Sequence, residues 1–484
     1  MSRPRLTARA RPGPVPTVLA LLLVLVAPLA GGIGAPGCAP PACAPAASAA
    51  RAPASGAATP AAPGAAEAAP TAPLAHREVL PNGLVLLVAE RPAVPIVVVR
   101  VWHRAGAVFD PPDRAGLANL TGATLTRGAG QRTGKQIDEA IEFVGGALEA
   151  GAGRDGLGVS LSVLARDVSL GLDLLRDVVL APTFPEDELK RKVAEIQAAI
   201  KRSEENPEVV GSRALGRLVF PGHPYGSPVE GTRESVGRLT RDDVVRFHRE
   251  HFRPDASIVA VVGAITVDEA RRAVTSRFGG WSRPAAPAPD VPAPAVPAGP
   301  ATERIERELT QATIMLGRQA VNQLDPDYYP LAVACYVLGG GSASRLYGRV
   351  REEGGLAYSV FAWLSPGRHG ASVTVSAQTR NAEVARVTDI LRDELARLGR
   401  EPVGDRELSL ARDYLIGSFP LRLDTSAKVA DFIVAVESTG LGLDYADRYR
   451  ERIARVTAAD VQRVAAKYLP PATFSRVVVA GRAP

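Results

Sequence analysis

One pattern occurs twice in this chain. Residues 240–263 read TRDDVVRFHREHFRPDASIVAVVG and residues 457–481 read TAADVQRVAAKYLPPATFSRVVVAG. In each, a helical segment leads into an apolar strand. A second pair, LLRDVVLAPTFPEDELKRK from Leu174 and ILRDELARLGREPVGDRELSLAR from Ile390, repeats at a similar offset. A chain patterned in this way has to build the same unit twice, here an α+β unit of about two hundred residues. Strands and helices mix without regular alternation, which argues against a doubly wound parallel sheet. The length of 484 residues already exceeds one ordinary domain.

Between the copies lies RPAAPAPDVPAPAVPAGP, a proline-alanine linker that should be extended and fairly stiff and should mark a domain boundary. The N-terminus has a different logic. MSRPRLTARARPG is arginine-rich without an acid, and TVLALLLVLVAPLAGG supplies a short apolar run, the order of a secretory signal. An uncleaved membrane anchor is the alternative, which Pro28 and the glycines disfavour. Gly37-Cys38 has the form of a lipid-attachment cysteine, although the preceding Ala-Pro suits that signal poorly. The expected organisation is a signal or anchor over 1–35 and an Ala/Pro-rich disordered tether over 36–73. A first domain over 74–282, a linker over 283–301 and a second domain over 302–484 follow.

With 46% apolar and 22% charged residues, the chain can bury a substantial core. Its net charge of +6 comes from scattered arginines, so no basic stripe of the kind nucleic-acid binding needs is visible. Cys38, Cys43 and Cys335 are the only cysteines, too few for a disulfide scaffold, and Cys335 sits in the apolar run LAVACYVL as a core residue. In the first copy an Asn82-Gly83 turn separates two β-rich runs. Helices are expected over 116–125, 134–144, 168–180, 186–201 and 241–251, with strands over 158–164 and 257–263.

Six segments in order carry a resemblance: LPNGLVLLV, RAGAVFDPPDRAGLANL, SEENP at Ser203–Pro207, FPGHPYGSPVEGT, FRPDASIVAVVG and GGGSASRLYGRVREEGGLAYSVFAW. From about Leu74 onward the chain resembles the pitrilysin/insulinase family, which includes mitochondrial processing peptidase and its bacterial relatives. The resemblance implies two homologous α+β domains, each a mostly antiparallel sheet packed with helices, forming half of a clamshell that closes around unfolded peptide. Active members carry His-x-x-Glu-His on a helix after Gly-Leu-Ala, with both imidazoles on one helical face and the glutamate activating zinc-bound water. A glutamate on a second helix is their third ligand.

Carried over by position, the first histidine falls on Asn119, the glutamate on Gly122, the second histidine on Ala123 and the third ligand on Ala199. Asparagine is a poor zinc ligand, and glycine and alanine offer no side-chain donor. No cofactor is therefore expected on this chain. FHREH at 247–251 offers His248, Glu250 and His251, but its spacing is one residue short of the metalloprotease motif and it reads as a helix end. His103 and His223 read as local structure, and His76 and His369 as residues in exposed, polar surroundings.

The second copy keeps something else. Arg351 and Tyr358 in RVREEGGLAYS match an arginine and a tyrosine that, in relatives, contact substrate backbone and stabilise an oxyanion at a zinc site. An ion pair of Arg351 with Glu352 or Glu353, and a packed Tyr358, would be the plain structural alternative. Gly339, Gly340 and Gly341 open a glycine-rich loop without the Gly-Lys-Ser/Thr of a nucleotide site. It is read either as a substrate-handling loop, as the resemblance suggests, or as a tight turn before a helix. The resemblance thus implies a non-catalytic subunit that helps enclose unstructured peptide and whose zinc is in a paralogous partner; the N-terminal segment implies export to the periplasm or cell envelope of a bacterium, with a membrane tether as the alternative. A scaffold or peptide-binding protein with no catalytic contribution is the alternative.

Overall fold

The computed structural model describes residues 73–482. The export segment, Cys38, Cys43 and nearly all of the Ala/Pro tether lie outside them. Among the described residues no helix is long and apolar enough to cross a membrane.

Two sheets organise the chain. Strands β1 (His76–Val79), β2 (Val85–Glu90), β3 (Ile96–His103), β6 (Ala147–Ala152), β7 (Leu157–Leu164) and β8 (Ser257–Gly263) form the first, in the order β1-β2-β8-β3-β7-β6. Strands β4 (Gly128–Ala129) and β5 (Arg132–Thr133) make a separate two-residue ladder. The second sheet has the order β11-β12-β10-β13-β9, from β9 (Thr302–Glu306), β10 (Gln311–Ala320), β11 (Ala357–Pro366), β12 (Ala371–Arg380) and β13 (Ser475–Ala480). All pairings are antiparallel except β2 with β8 and β9 with β13. The duplication read from the sequence is therefore topological: β8 and β13 end the repeated segments, and each pairs in parallel with the strand that opens its sheet's shared part. The architecture is α+β with two homologous sheets.

Local chemistry fixes the element ends. Gly83 turns the chain at φ 92°, and Asn82 Nδ2 donates to the Phe278 carbonyl at 2.8 Å, tying that turn to the end of helix Val267–Phe278. In both copies the repeated helix starts with a reciprocal capping box, Thr240 with Asp243 and Thr457 with Asp460, so a Thr-x-x-Asp spacing sets where each begins.

Strand β8 is buried along its whole length, because both faces of the first sheet are covered. Val99, Val259 and Val261 face one core with helix Leu117–Thr124, while Val98, Ala260 and Val262 face the other core with the C-terminal half. That second face is covered by helix Ser426–Thr439, which packs on β3 and β8 and is pinned by Arg100 to Asp431 at 2.6 Å and by Arg77 to Glu437 at 2.8 Å. The exchange is mutual. Helix Pro207–Val219 of the first half lies on β10 and β13, where a Cβ on Gly317 would reach 2.7 Å from Leu215. Each large apolar side chain buried in these contacts contributes roughly 1.5–3 kcal/mol, so the halves hold each other's outer face.

Candidate functional site

Helix Leu117–Thr124 starts at Gly116, whose φ of 97° is a left-handed conformation suited to glycine. The helix start is held by Asp110, which accepts from the Gly116 and Ala118 amides at 2.8 Å each. Burial pushes the Asp110 carboxyl up to about 7 against the pull of those amides. Leu117, Leu120, Thr121 and Thr124 are buried, and the two threonines return hydrogen bonds to carbonyls one turn back. Asn119 and Ala123, one turn apart, are half-buried. Helix Glu186–Ser203 packs beside this one and leaves Ala199 exposed.

Gly122 is packed against backbone. A Cβ there would stand 3.0 Å from the Ala152 nitrogen and 3.1 Å from the Gly151 Cα, so the helix lies directly on the backbone of edge strand β6. The four positions thus present one amide, two methyls and a bare backbone. This donor set does not fit a zinc ion, which needs nitrogen, thiolate or carboxylate ligands.

The histidines are structural. His103 is fully buried, bonded through Nδ1 to Ser257 Oγ at 2.7 Å, and desolvation lowers it to about 3. His248 Nε2 donates to the Val179 carbonyl at 2.9 Å. His251 packs against the rings of Phe109 and Phe247, and burial aided by Arg104 and Arg253 lowers it to about 4. His369 differs from the sequence reading: it is half-buried beside the Tyr225 ring, and its Nε2 is buried without a hydrogen-bond partner. Its hairpin folds back onto the first half, a contact that local polarity does not announce. Among the described residues no three His, Cys, Asp or Glu side chains gather to hold a metal.

The second cluster is built on a π-helix, Tyr347–Glu353, a wide turn often found at functional positions. It places Tyr347 and Arg351 together. The Arg351 guanidinium lies 5.0 Å from the Tyr347 ring centre and 4.8 Å from that of Tyr358, and its Nη1 donates to the Tyr358 carbonyl at 2.9 Å. Glu352 and Glu353 are not the groups that hold it. The pairing of β11 with β12 shifts register between Ala357 and Ser359, and this bulge turns Tyr358 outward, 76% exposed on an edge strand. Two arginines fix the π-helix: Arg345, just before it, grips Glu407 at 2.8 Å through two nitrogens, and Arg349, within it, reaches the fully buried Glu394 at 2.6 Å.

Tyr347 escaped the sequence reading, although its position four residues before Arg351 was the available signal. The glycines divide by surroundings. A Cβ on Gly339 would fall 2.4 Å from the Ala362 nitrogen of β11, and one on Gly340 would fall 2.5 Å from the Tyr336 ring, whereas Gly341 meets only the Tyr336 hydroxyl at 3.4 Å. Helix Tyr328–Gly339 therefore lies on edge strand β11 through a glycine, as helix Leu117–Thr124 lies on β6. Arg351 and Tyr358 are brought together with each other. The side-chain hydrogen bond and ring contacts of Arg351 go to Tyr347 and Tyr358, not to helix Leu117–Thr124.

Fold and site define a duplicated α+β chain with an Arg–Tyr cluster beside an edge strand and no zinc-ligating side chain at positions 119, 122, 123 and 199. The chain belongs to the insulinase family, peptidase family M16. Residues 85–233 match the model described as insulinase (peptidase family M16), and residues 238–415 the one described as peptidase M16 inactive domain. An uncharacterized zinc protease of Mycobacterium leprae is 32% identical over 355 residues, covering 72% of this chain and 79% of that protein. One of Streptomyces coelicolor is 29% identical over 395 residues, covering 81% and 86%. Among solved structures, a peptidase M16 inactive domain from Pseudomonas fluorescens superposes with a TM-score of 0.80 at 24% identity, over 84% of this chain and 98% of that one.

Proposed function

We propose that this chain is the non-catalytic half of a heterodimeric zinc peptidase, completing the chamber around unstructured peptide and lending Arg351 and Tyr358 to the active site of a zinc-bearing paralogue. The observation that carries this reading is the contrast between the two clusters. The metal position offers Asn119, Gly122, Ala123 and Ala199, while Arg351 lies against two rings with donors left over. A guanidinium and a phenol are suited to stabilising negative charge on a substrate carbonyl. Export to the periplasm or cell envelope, through the N-terminal segment, belongs to the same proposal.

The test is to purify the chain alone and with a zinc-bearing paralogue. The expected result is a complex in which zinc resides in the paralogue and peptidase activity depends on Arg351. Stoichiometric zinc and peptidase activity in the isolated chain would refute the reading. A stable complex whose activity ignores Arg351→Ala would instead assign a scaffolding role.

A further inference from the structure

The proline-alanine linker has no helix or strand, yet it is docked with a strict period of three. Arg253 Nη2 donates to the Ala286 carbonyl at 2.7 Å, Arg104 Nη2 to that of Pro289, His223 Nε2 to that of Pro292 at 3.1 Å, and Gln319 Nε2 to that of Ala295 at 2.8 Å. Side chains follow the same period: Ala288, Val291, Pro294 and Pro297 turn inward, and the residues between them are exposed. Two valines make the contrast plain, Val291 at 8% exposure and Val296 at 85%. A helix would repeat every 3.6 residues and a strand every two; a period of three is that of polyproline II.

The groove is built to receive this shape. Val291 enters a cluster with Val108, Phe220, Tyr225 and Met315, and a Cβ on Gly370 would stand 3.0 Å from Pro294. The donors are held before they act. Asp255 grips Arg253 at 2.6 and 2.8 Å, Gln319 also bonds the Val219 carbonyl at 2.9 Å, and His223 Nδ1 accepts from the Tyr225 amide at 3.1 Å, leaving Nε2 to donate. Arg104, Arg253 and His223 come from the first half and Gln319 from β10 of the second.

We infer that the body carries a recognition groove for a proline-rich polyproline II segment, spanning both halves, with the chain's own linker as its occupant. Such a segment suits the task because proline fixes φ and leaves every carbonyl free to accept. Docked along both halves, it splints them into one body, beyond its role as a connection.

The test uses the full chain with residues 284–297 replaced by a Gly/Ser segment of equal length. A labelled synthetic peptide of the native linker is then added. It is expected to bind this variant saturably at one site and raise its Tm. Binding should be weaker by about tenfold or more to the wild type, whose groove is filled, and to the Gly/Ser variant carrying Arg104→Ala. No binding to a folded Gly/Ser variant, or equal binding to all three proteins, overturns the inference. Should the Gly/Ser variant not fold, the wild type decides by elastase cleavage. Cutting within the linker about tenfold or more slower than in the free peptide is expected, with Arg104→Ala restoring the faster rate, and equal rates overturn it.

Discussion

Gly122 on helix Leu117–Thr124 and Gly151 on edge strand β6 approach so closely that a Cβ on the former would stand 3.1 Å from the Cα of the latter. Any side chain at position 122 would thus press on the backbone of β6. Gly122→Glu is expected to destabilise the chain by about 1–3 kcal/mol, as overpacking of a tight contact does. Rebuilding the motif with Asn119→His, Gly122→Glu, Ala123→His and Ala199→Glu should then give less than stoichiometric zinc. Denaturant unfolding and metal analysis check this; full zinc loading at unchanged stability would contradict it.

Arg351 lies at the surface between Tyr347 and Tyr358, so its removal should spare the fold. In the complex with a zinc-bearing paralogue, Arg351→Ala is expected to lower kcat on the order of a hundredfold, the usual cost of one oxyanion donor. Tyr347→Leu, which removes one ring and leaves the guanidinium, should cost less. Steady-state kinetics beside an unchanged circular dichroism melt would separate these effects from misfolding.

Asp327 is buried and accepts from Arg463 at 2.7 Å, Lys467 at 2.9 Å and Tyr468 at 2.9 Å, which together hold its carboxyl down to about 2 despite desolvation. A depressed carboxylate stabilises the fold above its unfolded value near 4, and that contribution disappears as pH falls towards 2. Asp327→Asn should cost about 1–3 kcal/mol at pH 7, with a smaller difference from wild type at pH 3. Urea midpoints at both values test the sign.

His103 and His251 act at milder acidity. Both are buried neutral, with values lowered to about 3 and about 4, whereas the unfolded chain takes up these protons near pH 6.5. Each therefore removes up to about 1.4 kcal/mol of stability per pH unit below 6.5. Asp110, raised to about 7, works in the opposite sense, favouring the fold as pH falls from 7 towards 4. The two histidines together outweigh it, so net stability should drop between pH 6.5 and 4.5. His251→Phe keeps a ring against Phe109 and Phe247 and should flatten that slope; an unchanged slope would count against the assignment.

The halves depend on each other through the exchanged helices. Residues 73–301 and 302–482 expressed apart are expected to be insoluble, each exposing the face that helix Ser426–Thr439 or Pro207–Val219 covers. Co-expression should recover a soluble pair. Two independently soluble, cooperatively melting fragments would refute this.

Much of the protein was legible in one dimension. The repeat of residues 240–263 in 457–481 predicts the duplicated unit, because amphipathic period and proline breaks are local. That Asn119, Gly122, Ala123 and Ala199 offer no histidine or carboxylate is likewise a matter of residue type alone. Other features depended on pairs distant in sequence. Arg100 meeting Asp431, Gly122 lying on Gly151, and Arg104, Arg253, His223 and Gln319 taking every third carbonyl of the linker involve residues tens to hundreds of positions apart. Composition made the linker extended; only the folded body, by aligning donors from both halves at the polyproline period, decided that it is bound.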